Sequence, residues 1–317
     1  MNKHNPYWPA PAKLNLMLHI TGRRADGYHE LQTVFQFLDL CDELQFQISS
    51  NGQIHRAQGP SSINAEDDLV VRSARALQQK SGTAQGVNIR VRKRIPLGAG
   101  LGGGSSDAAT TLHALNRLWQ LGLDVDQLAD IGLCMGADVP VFVHGFAAFA
   151  EGIGERLQPV STDECWYLLI TPDVHVSTAE IFSDPDLTRD CPALKICDLS
   201  AAPWDNVCVP VVTRRYPEVG KALKLLGTLA KAKMSGTGAS VFARFDSRHD
   251  AEQALAAAPL QRVTRVADLL PVDAAALAMA GLALQRQFLR RDHVCDRPPG
   301  DGLDEAILAG VIQSEIG

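Results

Sequence analysis

Ala12 to Ile20, AKLNLMLHI, alternates polar and apolar positions, the period of a half-buried strand. RRADGYHE follows as a turn centred on Asp26-Gly27. Leu31 to Leu40 and Glu43 to Ser49 read as two further strands, and Val87 to Ile95 as another. Helical spacing appears over Asp67 to Gln79, with Leu69, Val70, Ala74 and Leu77 on one face and Asp at the start. Ser105 to Leu121 is the clearest amphipathic helix, with Ser105, Ser106 and Asp107 as residues of N-cap type. Asp126 to Cys134 reads as a helix and Val139 to Val143 as a strand. A second half opens with the buried strand WYLLI, Trp166 to Ile170. It continues with a helix over Tyr216 to Lys231, a Gly-rich turn and strand in MSGTGASVFARF, and a short helix over Ala251 to Ala258. Antiparallel-looking strands with interspersed helices favour an α+β fold over a regularly alternating parallel sheet.

The pattern breaks at IPLGAGLGGGSSDA, Ile95 to Ala108, between a strand and a helix. So many glycines forgo packing and add chain entropy, which suits close approach of backbone N–H groups to an anion. Gly98 to Gly103 fits G-x-G-x-x-G, a weak signal alone. A dinucleotide fold also needs an acid at the end of the next strand. Asp124 and Asp126 lie instead between two helical patterns, and no G-K-[ST] follows. A phosphate loop feeding a helix N-terminus is the third reading, and a tight structural turn the fourth.

Length and composition narrow the class. The 317 residues suffice for two domains, and 46% hydrophobic with 21% charged residues is ordinary for a soluble protein. A net charge of -6 argues against a nucleic-acid partner. The cluster Arg90, Arg92, Lys93 and Arg94 suits a solvated strand end as well as a phosphate-attracting patch. No signal-peptide pattern or membrane-length apolar run occurs, and the seven scattered cysteines form no C-x-x-C pair. The expectation is a reduced cytoplasmic protein without a membrane partner, its cysteines serving as small buried hydrophobes.

Together PAKLNL, GRRADGYHEL, PLGAGLGGGSSDAA, MGADVPVF and the SGTGA turn resemble the GHMP kinase superfamily, over about residues 8 to 258. Within it they look most like the branch acting on diphosphocytidyl-methylerythritol, a small-molecule substrate. The resemblance implies a two-domain α+β GHMP kinase fold with the active site in the interdomain cleft. The expected units are 1–160, 161–262 and an atypical tail, 263–317. It implies phosphoryl transfer from ATP, with Mg²⁺, to the 2-hydroxyl of the erythritol.

Carried over by motif, the ATP-binding residues are Pro96, Leu97, Gly98, Ala99, Gly100, Leu101, Gly102, Gly103, Gly104, Ser105 and Ser106. One of the two serines would help place Mg²⁺. Asp138 of G-A-D-V-P would be the base and Lys13 of P-A-K-L-N its cationic partner. Tyr28 and Phe182 would sandwich the cytosine, His29 would hydrogen-bond it, and Asn15 and Thr178 would complete the substrate site. Adenine would lie near Leu69 to Val71, where Asp68 stands in place of the family's frequent Asn. His175 and the remaining histidines carry no assignment. Beyond Arg262 the resemblance stops. VTRVADLLP is compatible with a last strand and DAAALAMAGLALQRQFLRRD with a helix, as an added element or as a translated frameshift.

Overall fold

In the computed structural model, residues 7–163, 165–200, 202–257 and 270–271 are described. The expected tail helix lies outside them.

Two long strands organise the first half. β1 (Trp8–Arg23) and β2 (His29–Ser49) form an antiparallel hairpin through the Asp26-Gly27 turn. The two strands expected over 31–49 are one, because Cys41 and Asp42 keep pairing with Pro11 and Ala10. β3 (Ile54–Gln58), α1 (Leu69–Ser81) and β4 (Gly86–Arg92) follow, then α2 (Gly103–Leu118), α3 (Val125–Leu133) and α4 (Val139–His144). β5 (Ala148–Gly152) and β6 (Arg156–Pro159) complete a sheet ordered β3-β4-β2-β5-β6, with β1 on the free side of β2. All its pairings are antiparallel except β3 with β4.

The second half comprises β7 (Trp166–Ile170), α5 (Thr178–Ser183), α6 (Val209–Arg215), α7 (Pro217–Gly227), β8 (Ala232–Met234), β9 (Val241–Phe245), α8 (Arg248–Ala257) and β10 (Leu270–Pro271). Its antiparallel sheet runs β10-β7-β9-β8. Part of VTRVADLLP is therefore a strand, since Leu270 and Pro271 pair with Tyr167 and Trp166.

β1 joins the halves. Trp8 and Ala10 enter the core under α1 and α2, Leu14 and Leu16 a middle core shared with β7, and Leu18 and Ile20 the core under α7. Leu18 also exchanges backbone hydrogen bonds with Asp205 and Val207. A strand buried on both faces loses the clean alternation of a half-exposed one.

Two expectations are corrected. Val139 to Val143 is helical, not extended. Every residue of that run is buried, so it carries no period to separate strand from helix, and Pro140 suits a first helical turn. α2 starts at Gly103, two residues before the serines, with Gly102 at the N-cap in the left-handed region and no side-chain cap. Cysteine burial also differs. Cys41, Cys165 and Cys208 are buried free thiols, but Cys134 and Cys197 are exposed and Cys191 is half-buried. Cys295 lies outside the described residues.

Two buried charge clusters fix the surroundings of the glycine loop. Arg56 pairs with Asp68 and donates to the Ile63 carbonyl at 2.7 Å, while Asp68 also caps α1 through the Val70 N–H at 3.1 Å. The Asp68 carboxylate is thus used within the protein. Lys93 bridges Asp42 on β2 and Asp107 on α2, and Asp42 accepts from the backbone N–H groups of Arg94 and Ile95. The basic run therefore divides: Lys93 is inward, whereas Arg92 and Arg94 reach Glu43 at the surface. Burial pushes Asp107 up to about 8, Lys93 opposing and Asp42 reinforcing the shift. One ammonium between two buried carboxylates leaves a surplus negative charge, which a proton removes.

Asp68→Asn, which leaves the buried Arg56 without its counter-charge, is expected to destabilise the fold by about 1–3 kcal/mol. The KM for ATP should stay the same or fall. Denaturant unfolding beside steady-state kinetics checks both, and unchanged stability would refute the ion pair's role. The raised Asp107 binds a proton in the fold that it releases on unfolding between its ordinary value near 3.8 and about 8. Its contribution is therefore present at low pH and is lost as pH rises through that window. Asp107→Asn should gain stability relative to the wild type from about pH 4 to pH 8. Parallel stability curves would contradict this.

Candidate active site

The loop from Pro96 to Gly102 leaves β4 and enters α2 with Gly98, Gly100 and Gly102 at φ of 64°, 75° and 71°. That region strains residues with a Cβ. Neighbouring protein atoms add a second reason. A Cβ on Gly98 would lie 2.4 Å from His175 Nδ1, on Gly100 2.5 Å from the Ser235 carbonyl, and on Gly102 2.7 Å from the Phe142 ring. Gly104, by contrast, is exposed, and a Cβ there would meet only Leu69 at 3.5 Å. Part of the glycine content therefore answers contact with the protein itself.

The loop's carbonyls face the protein. Ala99 accepts from the Ser240 N–H at 3.0 Å, Gly100 from the Ser235 hydroxyl at 2.9 Å, and Leu101 from the Lys13 N–H at 2.9 Å. Among the described residues, no N–H from Leu97 to Ser105 donates to the protein, so these amides are the unspent donors of the loop and first helical turn. Ser106 differs: its N–H bonds the Gly102 carbonyl, and its buried hydroxyl has no partner among the described residues. Ser105 is half-buried and keeps the more accessible hydroxyl. Leu97 is exposed at the loop tip, with Pro96 half-buried beside it.

Lys13 follows a shift in the β1–β2 register, where Pro11 pairs with Cys41 and Lys13 with Phe37, so that the extra residues lie on β2. It is 3% exposed. Its Nζ donates to Asn15 Oδ1, lies 3.2 Å from Asp138 Oδ2 and 3.4 Å from the Gly100 carbonyl, and covers the Phe35 ring at 5.2 Å. Asp138 is the N-cap of α4 but makes no side-chain cap hydrogen bond. Its carboxylate is 35% exposed, so one side meets Lys13 and the other is open to a ligand. Asn15 accepts from Lys13, donates to Thr33 at 2.9 Å, and its N–H reaches the Ser235 hydroxyl at 3.1 Å.

The SGTGA turn thereby meets β1 and the loop at Ser235. The same turn reaches Thr178, one of the residues expected at the substrate, through Thr237, whose hydroxyl is 2.9 Å from that of Thr178 at the start of α5. Phe182, on α5, stacks on His29 with ring centroids 5.2 Å apart and planes 24° apart. Tyr28 is 60% exposed, and among the described residues its ring makes no aromatic contact. The structure thus groups Lys13, Asp138, Asn15 and the loop, links Thr178 to them through the turn, and pairs His29 with Phe182. Tyr28 stands apart from the pair.

Sequence reasoning missed three participants. Ser235 was visible only as part of a turn. His175 had no motif to mark it as the wall against Gly98. Arg189 donates to His29 Nε2 from 160 positions away, a separation no local pattern reports.

Comparison with known proteins agrees with this geometry. The GHMP kinases N terminal domain matches residues 68–146, and the GHMP kinases C terminal domain residues 194–261. A 4-diphosphocytidyl-2-C-methyl-D-erythritol kinase of Shewanella loihica is 56% identical over 253 residues, covering 80% of this chain and 89% of the relative. One from Pseudomonas syringae pv. syringae is 58% identical over 245 residues, covering 77% and 87%. A crystal structure of 4-(cytidine 5'-diphospho)-2C-methyl-D-erythritol kinase superposes with a TM-score of 0.72 at 33% identity, over 84% of this chain and 98% of that one. The Methanococcus jannaschii mevalonate kinase shares the fold, with a TM-score of 0.62 at 13% identity over 86% and 100%. The chain belongs to the 4-diphosphocytidyl-2-C-methyl-D-erythritol kinase family of GHMP kinases.

Proposed function

We propose that this protein transfers the γ-phosphoryl group of ATP to the 2-hydroxyl of 4-diphosphocytidyl-2-C-methyl-D-erythritol, in the non-mevalonate route to isoprenoid precursors. The observation that carries the reading is the Lys13–Asp138 pair, 3.2 Å apart and beside the Gly100 carbonyl of the amide-rich loop. It joins a carboxylate, a cation and an anion cradle, the parts that phosphoryl transfer needs for positioning and charge stabilisation.

Asp138 is open on one side and accepts the proton of the attacking hydroxyl as the new P–O bond forms. Lys13, held by Asn15, Gly100 and Phe35, orients that carboxylate and faces the developing negative charge. The amides from Leu97 to Ser105 receive the phosphates, helped by the positive end of α2. For Mg²⁺, the more accessible Ser105 hydroxyl fits a hard cation, whereas the Ser106 hydroxyl is buried and without a partner among the described residues. No group of three or more metal-ligating carboxylates, histidines or cysteines occurs among the described residues, so phosphate oxygens and water would supply most of its ligands. When bound, the metal would neutralise charge on the phosphates.

His29 and Phe182 supply the base-recognition surface, Tyr28 an exposed second ring, and Asn15 and Thr178 the polar contacts to the rest of the substrate. The substrate would lie between units 1–160 and 161–262, a division supported by the two sheets and their separate cores. A reduced, cytoplasmic setting is supported by the free thiols.

Turnover of ATP on this substrate with Mg²⁺ is expected for the wild type. Asp138→Asn should lower kcat by about 10²–10⁴-fold, the usual contribution of a positioned base, while ATP binding persists. Calorimetric ATP binding beside a coupled ADP assay separates the two. A wild type that binds ATP but phosphorylates a different alcohol would overturn the substrate. A fully active Asp138→Asn would remove the base.

A further inference from the structure

Arg189 is unusual among the arginines near the site in what it binds. Its guanidinium donates to four neutral acceptors: His29 Nε2 at 3.1 Å, and the carbonyls of Leu187 at 3.0 Å, Phe182 at 2.9 Å and Asp184 at 2.7 Å. Among the described residues it pairs with no carboxylate. The nearby Asp184 carboxylate is taken by Arg214 and Arg215. One side chain thus grips both halves of the His29–Phe182 stack, the imidazole through its nitrogen and the phenylalanine through its backbone.

Arginine stays protonated and has no acceptor atom. The Arg189 Nε–H must therefore donate, and His29 Nε2 must offer its lone pair. An imidazole with a lone pair on Nε2 and one proton carries that proton on Nδ1. We infer that Arg189 is a positioning residue that holds His29 as a neutral Nδ1–H donor, so that His29 selects a pyrimidine presenting a ring-nitrogen acceptor. Cytosine presents such an acceptor at N3, whereas uracil carries a hydrogen there. The two N–H groups would then face each other, so selectivity would come from repulsion as well as attraction. The base-selection half of this inference rests on the proposed cytidine substrate.

The charged surroundings agree. Burial, then Arg189 on the incoming loop, then Arg23 opposite on β1, all hold the His29 imidazole below its ordinary value. Among the described residues no protein group accepts a hydrogen bond from Nδ1, which leaves that donor for a ligand.

Long-range ¹⁵N–¹H NMR of the ligand-free wild type, with His29 assigned through His29→Gln, reads the tautomer directly. The expected signature is one dominant Nδ1–H form whose titration midpoint lies below the ordinary histidine value. Arg189→Met should mix in the Nε2–H form and raise the titration midpoint towards 6.5. In kinetics, the KM for the cytidine substrate should rise about tenfold, with little change in kcat or in the KM for ATP. Its rise on acidification should begin at higher pH than in the wild type. Preference for the cytidine substrate over its uridine analogue, expected near 100-fold, should fall by about tenfold. Arg189→Lys keeps a cation able to donate and should recover much of the tautomer, guarding against a variant that merely loosens the loop. A wild type with its proton on Nε2, or a tautomer untouched in Arg189→Met, overturns the positioning role. Normal tautomer control with no turnover of the cytidine substrate overturns the base selection and the proposed activity, while leaving Arg189's hold on His29 standing.

Discussion

A buried ammonium is the constraint around which this site is built. Lys13 lies in the strand that runs through all three cores, next to a shift in its register with β2 and nearly out of contact with water. An isolated charge in that position would be strongly disfavoured, so its surroundings must answer it. They do so from four directions. β1 supplies Asn15, β2 the face of Phe35, the glycine loop a carbonyl, and the start of α4 the Asp138 carboxylate. Compensating one charge thereby brings together the elements of the candidate site.

The glycine loop solves a related problem with backbone alone. Its carbonyls turn inward to Ser235, Ser240 and the Lys13 N–H, so its amides turn outward. That inversion needs positive φ at alternate residues, and the inward side leaves no room for Cβ atoms against His175, Ser235 and Phe142. In the proposed reaction, phosphate approach and protein packing would thus be two uses of the same residues. The loop's base is held by Lys93 between Asp42 and Asp107, which ties the exit of β4 and the first turns of α2 to the middle of β2.

Recognition of the base is arranged differently. In the proposed site, phosphates would be met by many backbone donors, which tolerate variation in side chains. The pyrimidine edge would be met by one imidazole, whose two nitrogens differ only in which carries a proton. Such a group needs a partner to fix its tautomer, and Arg189 is placed to do so. The strategies match their targets: a diffuse charge is met by a diffuse cradle, and a directional edge by one oriented donor.

Local chemistry was legible in the chain. Alternation revealed β1, helical spacing revealed α1 and α2, and the density of glycine around Gly100 marked a loop where side chains are excluded. Motif resemblance singled out Lys13 and Asp138, and the structure brings them within 3.2 Å. Tertiary structure decided what local pattern could not express. Val139 to Val143 became a helix because burial on every side erases the periodicity that separates helix from strand. Asp68 became the partner of Arg56 and Lys93 the bridge between two carboxylates, because pairing across 12 or 51 positions depends on how sheets and helices stack. The join of Arg189 to His29 is of the same kind. Sequence spacing records the geometry of one element, whereas these contacts record the meeting of several, and burial makes each of them count by removing the water that would otherwise serve as partner.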